Sequence, residues 1–101
     1  MTLERCQKRI YKYKKEKGLN RSDISKEIVC LVEELGELAR SYRRHQNDEV
    51  VDAIGDLMVY CLGLCEIMNV DAEDLLEKII ENNEDRDYGV NAFLEEGEVI
   101  E

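Results

Sequence analysis

Three glutamates and two aspartates carry the chemistry this sequence offers. Glu33, Glu34 and Glu37 form an EExxE pattern, and Asp52 and Asp56 stand four apart further along. Residues three or four apart on a helix project from neighbouring turns of one side, so each segment presents two carboxylates together. Mg²⁺ takes oxygen ligands in near-octahedral geometry and is commonly held by carboxylates plus substrate phosphates. Two facing helices with such pairs can therefore make a metal cage without a special loop. A third group, Lys78, Asn82 and Arg86, follows at spacings of four and forms a polar strip that suits phosphate oxygens or an amide contact with a base, or else is an ordinary solvated face relieving an acidic helix.

Taken alone, EExxE reads as solvated charge. A helical wheel places Glu34 and Glu37 beside Glu27, on the flank of an apolar stripe, and charged residues usually face water. The aspartates shift the balance. They share a stripe with Val59 and Gly63 in a segment whose run from Leu57 to Cys65 contains no charged residue, which predicts burial. A buried, unpaired carboxylate is costly unless a cation or hydrogen bonds compensate it. Between Asp48 and Lys78 there is no Lys, Arg or His, so a divalent metal is the expected partner.

Four helices must position these groups. Leu3, Cys6, Ile10 and Tyr13 predict a helix over residues 3–17, with Thr2 as N-cap and Gly18 as the stop. Ser22 is the expected N-cap of the second helix, where Ile24, Ile28, Leu31, Leu35, Leu38 and Tyr42 repeat at spacings of three and four. A polar turn around His45–Asp48 leads to the third helix, residues 49–68, expected to be the buried core helix because it lacks a polar face. Asn69 and Val70 turn the chain, and Asp71 caps a fourth helix whose apolar face is Leu75, Leu76, Ile79 and Ile80. The fourth helix should fray over Asn83–Asp87. Phe93-Leu94 and Val99-Ile100 in the tail suit either a small hairpin or a segment draped over a partner, and Tyr88 is available to stack or to pack. Gly36, Gly55 and Gly63 fall inside helices, at about 1 kcal/mol each relative to Ala, which calls for close helix approach or room for a ligand.

The chain has 101 residues, and its net charge of −10 hides a basic first helix and an acidic remainder. A solvated helix face is the simplest reading of the basic segment, and an acidic body disfavours a nucleic-acid partner. A phosphorylated ligand would need cations to screen the carboxylates. Domain size favours completion of the core by a second subunit. The longest charge-free stretch is far short of the roughly 20 residues that span a bilayer. The charged N-terminal stretch is unlike a secretory signal, so a cytoplasmic setting is expected. Cys6, Cys30, Cys61 and Cys65 read as small core residues and show no zinc spacing. There is no GxxxxGK(S/T) loop, GxGxxG turn, HExxH helix or Glu-x-x-His di-iron motif.

As a set, Glu33-Glu34-Leu35-Gly36-Glu37-Leu38-Ala39, Asp52-Ala53-Ile54-Gly55-Asp56-Leu57, and Lys78 with Asn82 resemble the MazG-like nucleoside triphosphate pyrophosphohydrolases. This all-α superfamily includes dimeric dUTPases and phosphoribosyl-ATP pyrophosphohydrolase. The resemblance runs from about Leu3 to Tyr88. It implies a four-helix bundle-like domain over residues 1–90, completed by dimerisation or tetramerisation, and a tail over 91–101. It implies water attack at the α-phosphate of a ribo- or deoxyribonucleoside triphosphate, giving the monophosphate and pyrophosphate. Mg²⁺, or Mn²⁺ in its place, would be held by Glu34, Glu37, Asp52 and Asp56. Glu34 or Glu37 would orient the water with help from Glu33, while Lys78, Asn82 and Arg86 would bind substrate. The family's second motif is commonly ExxD, and Ala53 stands where its glutamate would be. Either Asp52 replaces it, the reading preferred here, or Glu49 and Asp52 are themselves the pair. Competing readings are a non-catalytic helical interaction module and a nucleic-acid binder using residues 1–21.

Overall fold

Each helix but the third starts where a side-chain oxygen is available to cap it. The structure, a computed structural model, describes residues 1–87; the expectations for Tyr88, the tail and the 90/91 boundary lie outside them. The described chain is four helices, α1 (Leu3–Lys17), α2 (Ile24–Arg43), α3 (Asn47–Ile67) and α4 (Ala72–Asp85), with no strand among the described residues. Thr2 caps α1 by accepting from the Arg5 amide at 3.2 Å, and Gly18, at φ 68°, closes it in the left-handed region. The N-cap of α2 is Asp23, not Ser22; its carboxylate accepts from the Lys26 amide at 3.3 Å. Asn20 explains the shift, because its amide side chain binds both the Asp23 amide and the Asp23 carbonyl and so sets that residue at the helix mouth. Asp71 caps α4 by accepting from Glu73 and Asp74 amides at 2.9 and 3.1 Å.

Helix α3 is the central element. It packs along α2, against α1 on a second side, and more lightly against α4, whose backbone nowhere approaches α2. Gln7, buried on α1, ties the α3–α4 turn: its amide nitrogen donates to Val70 O at 2.7 Å and to Glu66 at 2.9 Å, and its oxygen accepts from the Ala72 amide at 2.9 Å. The Leu3 amide donates to Glu73 at 3.1 Å. These bonds hold the first turn of α4 and leave its later turns standing clear.

Two expectations about burial are corrected. In this chain α3 buries only Ala53 and Gly63 fully, while Ile54 and Met58 are about half exposed. Three neighbours do not enclose a helix that is apolar all round. The apolar stripe of α2 is likewise turned partly to water, with Leu35 57% and Tyr42 72% exposed, while Glu27 and Ser41 are buried. The inward side of α2 carries Glu27, Glu34 and Ser41 together with the half-buried Leu31 and Leu38, so only part of the apolar stripe lies on the seam with α3. The cysteines are not core residues either: Cys61 is exposed and the other three are half-buried. Among the described residues, Ile10, Ala53 and Ala72 are the buried apolar ones. The radius of gyration, 16.8 Å, exceeds the roughly 13 Å of a compact chain of this length. Among the described residues no helix is long and apolar enough to cross a membrane.

Candidate active site

The α2–α3 seam is a ladder of polar rungs. The helices are joined by a short turn in which His45 takes φ 57°, so they run antiparallel and partners on α2 descend as those on α3 ascend. At the far end Glu27 lies over Gly63, its Oε2 2.9 Å from where a Gly63 Cβ would stand. One turn nearer the connection, Cys30 and Tyr60 stand near enough for the thiol to act on the phenol. One further turn along, Glu34 faces Asp56. Burial of the first rung is stabilised by charge: Lys14 Nζ donates to Glu27 Oε2 at 2.9 Å, and Asn20 donates to Glu27 Oε1 at 3.1 Å.

The Glu34–Asp56 rung is the electrostatic centre. The Glu34 carboxyl is held above its ordinary value of 4.5, first by loss of hydration, then by the charge of Asp56, then by those of Glu37 and Glu33. Tyr60 is raised above 10.0, again chiefly by lost hydration, with Cys30, Glu34 and Asp56 adding to it. Glu33, Glu34, Glu37 and Asp56 therefore share one field, assembled from two helices. Asp52 lies one turn earlier on α3. Both aspartates are exposed, which corrects the expectation that they are buried; it is Glu34 that is partly withdrawn from water.

Glu37 pairs with the Arg40 guanidinium, three residues on. Arg40 also lies 3.5 Å from where a Gly36 Cβ would stand, an ordinary contact distance. Arg40 is a neighbour of the carboxylates that the sequence reading missed, although the Glu37–Arg40 spacing is a common helical ion-pair spacing. Tyr60 and Cys30 were missed as well; their only signal was position, one turn from Asp56 and Glu34. Among the described residues, Glu34, Asp52 and Asp56 form no ion pair, and no group of three His, Cys, Asp or Glu side chains stands ready at metal-ligating distance.

Lys78 and Asn82 are exposed on α4, and Arg86 is its C-cap residue. Because α4 does not approach α2, the fold of one chain does not bring this strip onto the EExxE segment.

A helical bundle with carboxylates opposed across neighbouring helices fits a hydrolase of phosphoanhydrides. The family model described as phosphoribosyl-ATP pyrophosphohydrolase matches residues 5–83. The chain belongs to that family, which is all-α, NTP pyrophosphatase-like and related to MazG. It is thus a pyrophosphohydrolase, a hydrolase acting on the acid anhydride of a nucleotide. No curated protein and no solved structure matches the chain.

Proposed function

We propose that the chain cleaves the bond between the α and β phosphates of a nucleoside triphosphate, with phosphoribosyl-ATP as one such triphosphate, and releases pyrophosphate. The observation that carries this reading is the opposition of Glu34 and Asp56 across α2 and α3, with Glu33 and Glu37 acting on the same carboxyl.

A hard dication fits these residues. The donors are all carboxylate oxygens, the class that Mg²⁺ prefers, and the repulsion that raises Glu34 is the repulsion that such a charge relieves. Glu34, Glu37, Asp52 and Asp56 would hold Mg²⁺, or Mn²⁺ in its place. When bound, the metal supplies charge neutralisation at the phosphates and acidifies water. Glu34 or Glu37 then orients the attacking water toward the α-phosphorus, and Glu33 supports that carboxylate network from the exposed side of α2. Arg40 pairs with Glu37 and would set how readily that carboxylate is free to help hold the cation. Lys78, Asn82 and Arg86 bind the phosphates or the base, with α4 contributed by a second copy of the chain in a dimer or tetramer.

The test is a panel of ribo- and deoxyribonucleoside triphosphates and phosphoribosyl-ATP, with Mg²⁺, scored for pyrophosphate and orthophosphate. Pyrophosphate from at least one substrate, abolished by Glu34→Gln or Asp56→Asn, is the expected result. Orthophosphate as the primary product, or pyrophosphate release untouched by both substitutions, overturns the reading.

A further inference from the structure

Gly55 has no packing reason to be a glycine. Alanine is the better helix former, and of the other two glycines within helices only Gly63 has neighbours too close for a Cβ. A Cβ on Gly36 would meet Arg40 at 3.5 Å, and one on Gly63 would stand 2.6 Å from Lys14 Nζ. A Cβ on Gly55 would meet nothing within 4 Å. Gly55 is not needed for a turn, since it lies well inside α3.

The open space beside it is a cleft of about 560 Å³ between α1 and α3. This is within the range of small-molecule pockets, which are mostly apolar with a few placed polar groups. Met58 and Val59 join Gly55 on the α3 side, and Arg9, Lys12 and Tyr13 face it from α1, with Glu16 as the lining carboxylate. Two cations beside an apolar wall are notable in a chain of net charge −10. They fit a ligand with a flat, weakly polar part and an anionic part. Gly55 directly precedes Asp56, so the cleft and the Glu34–Asp56 rung share one turn of α3.

We propose that the α1–α3 cleft is the nucleoside pocket of the pyrophosphohydrolase site, with Gly55 kept bare so that the base or sugar lies against the α3 backbone while Arg9 and Lys12 meet anionic groups of the nucleotide. This rests on the proposed hydrolysis of a nucleoside triphosphate, and it gives the basic first helix a role in specificity. A bare backbone there exchanges helix stability for ligand room, and that exchange is measurable.

The experiment compares the full chain with Gly55→Ala, Gly55→Leu and the double variant Arg9→Gln/Lys12→Gln. Each is measured by thermal melting, by calorimetric binding of α,β-methylene-ATP with Mg²⁺, and by KM and kcat on the best triphosphate. Gly55→Ala should melt above the wild type. Gly55→Leu should remain folded yet bind the analogue about tenfold more weakly, with KM raised in step and kcat little changed. The Arg9/Lys12 variant should weaken binding by about tenfold without lowering the melting temperature. If the wild type binds the analogue and all three variants match it in affinity and KM, the cleft is not the pocket, while the hydrolase reading stands on its own substitutions. If the cleft variants weaken binding but the wild type releases no pyrophosphate, the pocket stands and the hydrolase reading falls. A wild type that does not bind the analogue overturns the pocket.

Discussion

The Lys14 ammonium and the Glu27 carboxylate meet at 2.9 Å, both almost wholly out of water, above the bare backbone of Gly63. Through this pair α1 fixes where α2 lies on α3, and hence which α3 residue Glu34 faces two turns further on. Removing one partner of a buried pair strands the other, at about 3–5 kcal/mol. Lys14→Met should therefore lower unfolding free energy by about that amount in urea titration. The double variant Lys14→Met/Glu27→Leu should recover most of the loss. Strictly additive single effects would show that the two groups are not coupled.

Gly63→Ala tests the same junction from below. On helix propensity alone the change should stabilise by about 1 kcal/mol. The new Cβ, however, would stand 2.6 Å from Lys14 Nζ and 2.9 Å from Glu27 Oε2. Both atoms end flexible side chains, but each is buried and engaged with the other, so moving one weakens the pair. The net effect expected is a loss of about 1–2 kcal/mol, read as a lower urea midpoint with unchanged slope. Gly55→Ala, which meets no atom, should have the opposite sign.

Much of this architecture was legible in the sequence because helix boundaries are local chemistry. Thr2, Gly18 and Asp71 sit at the ends they predict, and the EExxE spacing places two glutamates on one side of α2. What was not legible is which side of each amphipathic helix turns inward. The wheel of α2 points its leucines and isoleucines to the core, yet Glu27 is buried and Leu35 exposed. A sequence pattern reports the sum of all burial, within the chain and against other chains. The described fold uses one part of the apolar surface and leaves the rest. The Lys14–Glu27 pair was hidden for another reason: the partners lie on different helices, and their meeting depends on a glycine from a third.

Glu34 gives the site a pH signature. Its carboxyl is raised above 4.5, so the native chain holds that proton more tightly than the unfolded chain. The stability it contributes is complete below about pH 4.5 and is lost as pH rises through the native value. In metal-free buffer the wild type should therefore lose stability relative to Glu34→Gln as pH climbs from about 4.5 toward neutrality. At neutral pH the variant should be the more stable protein and about 100-fold or more slower in pyrophosphate release. Parallel urea titrations across that window, with activity assays alongside, decide it. A variant that tracks the wild type at every pH would show that Glu34 carries no native strain.

Mg²⁺ should reverse the same penalty. A ligand bound by the native state alone stabilises it by about 2.7 kcal/mol at a hundredfold excess over its Kd. The melting temperature should rise with Mg²⁺ and return on adding EDTA. Asp56→Asn and Glu34→Gln should blunt the rise, whereas Lys78→Gln, outside the carboxylate set, should keep it. An equal rise with Ca²⁺ or with added monovalent salt at matched ionic strength would indicate general screening of an acidic chain.

The exposed apolar faces make the final prediction. Leu75, Leu76, Ile79 and Ile80 on α4 are each more than 40% exposed, as are Ile54 and Met58 on α3. Several of these line one groove of about 510 Å³ between the two helices. Contiguous apolar surface of this kind marks an interaction site, and a second copy of the chain is the occupant expected here. Sedimentation should give a dimer or tetramer, and Leu76→Asp/Ile79→Asp should shift it toward monomer with a lower melting temperature. Because α4 does not approach α2 within one chain, substrate contacts from Lys78 or Asn82 to the Glu34 site would have to cross that interface. Mixing a Glu34→Gln chain with a Lys78→Gln chain should then restore part of the activity that neither has alone, since some mixed assemblies rebuild one intact site. No recovery on mixing, in assemblies shown to exchange subunits, would place both halves of the site on a single chain or remove Lys78 from it.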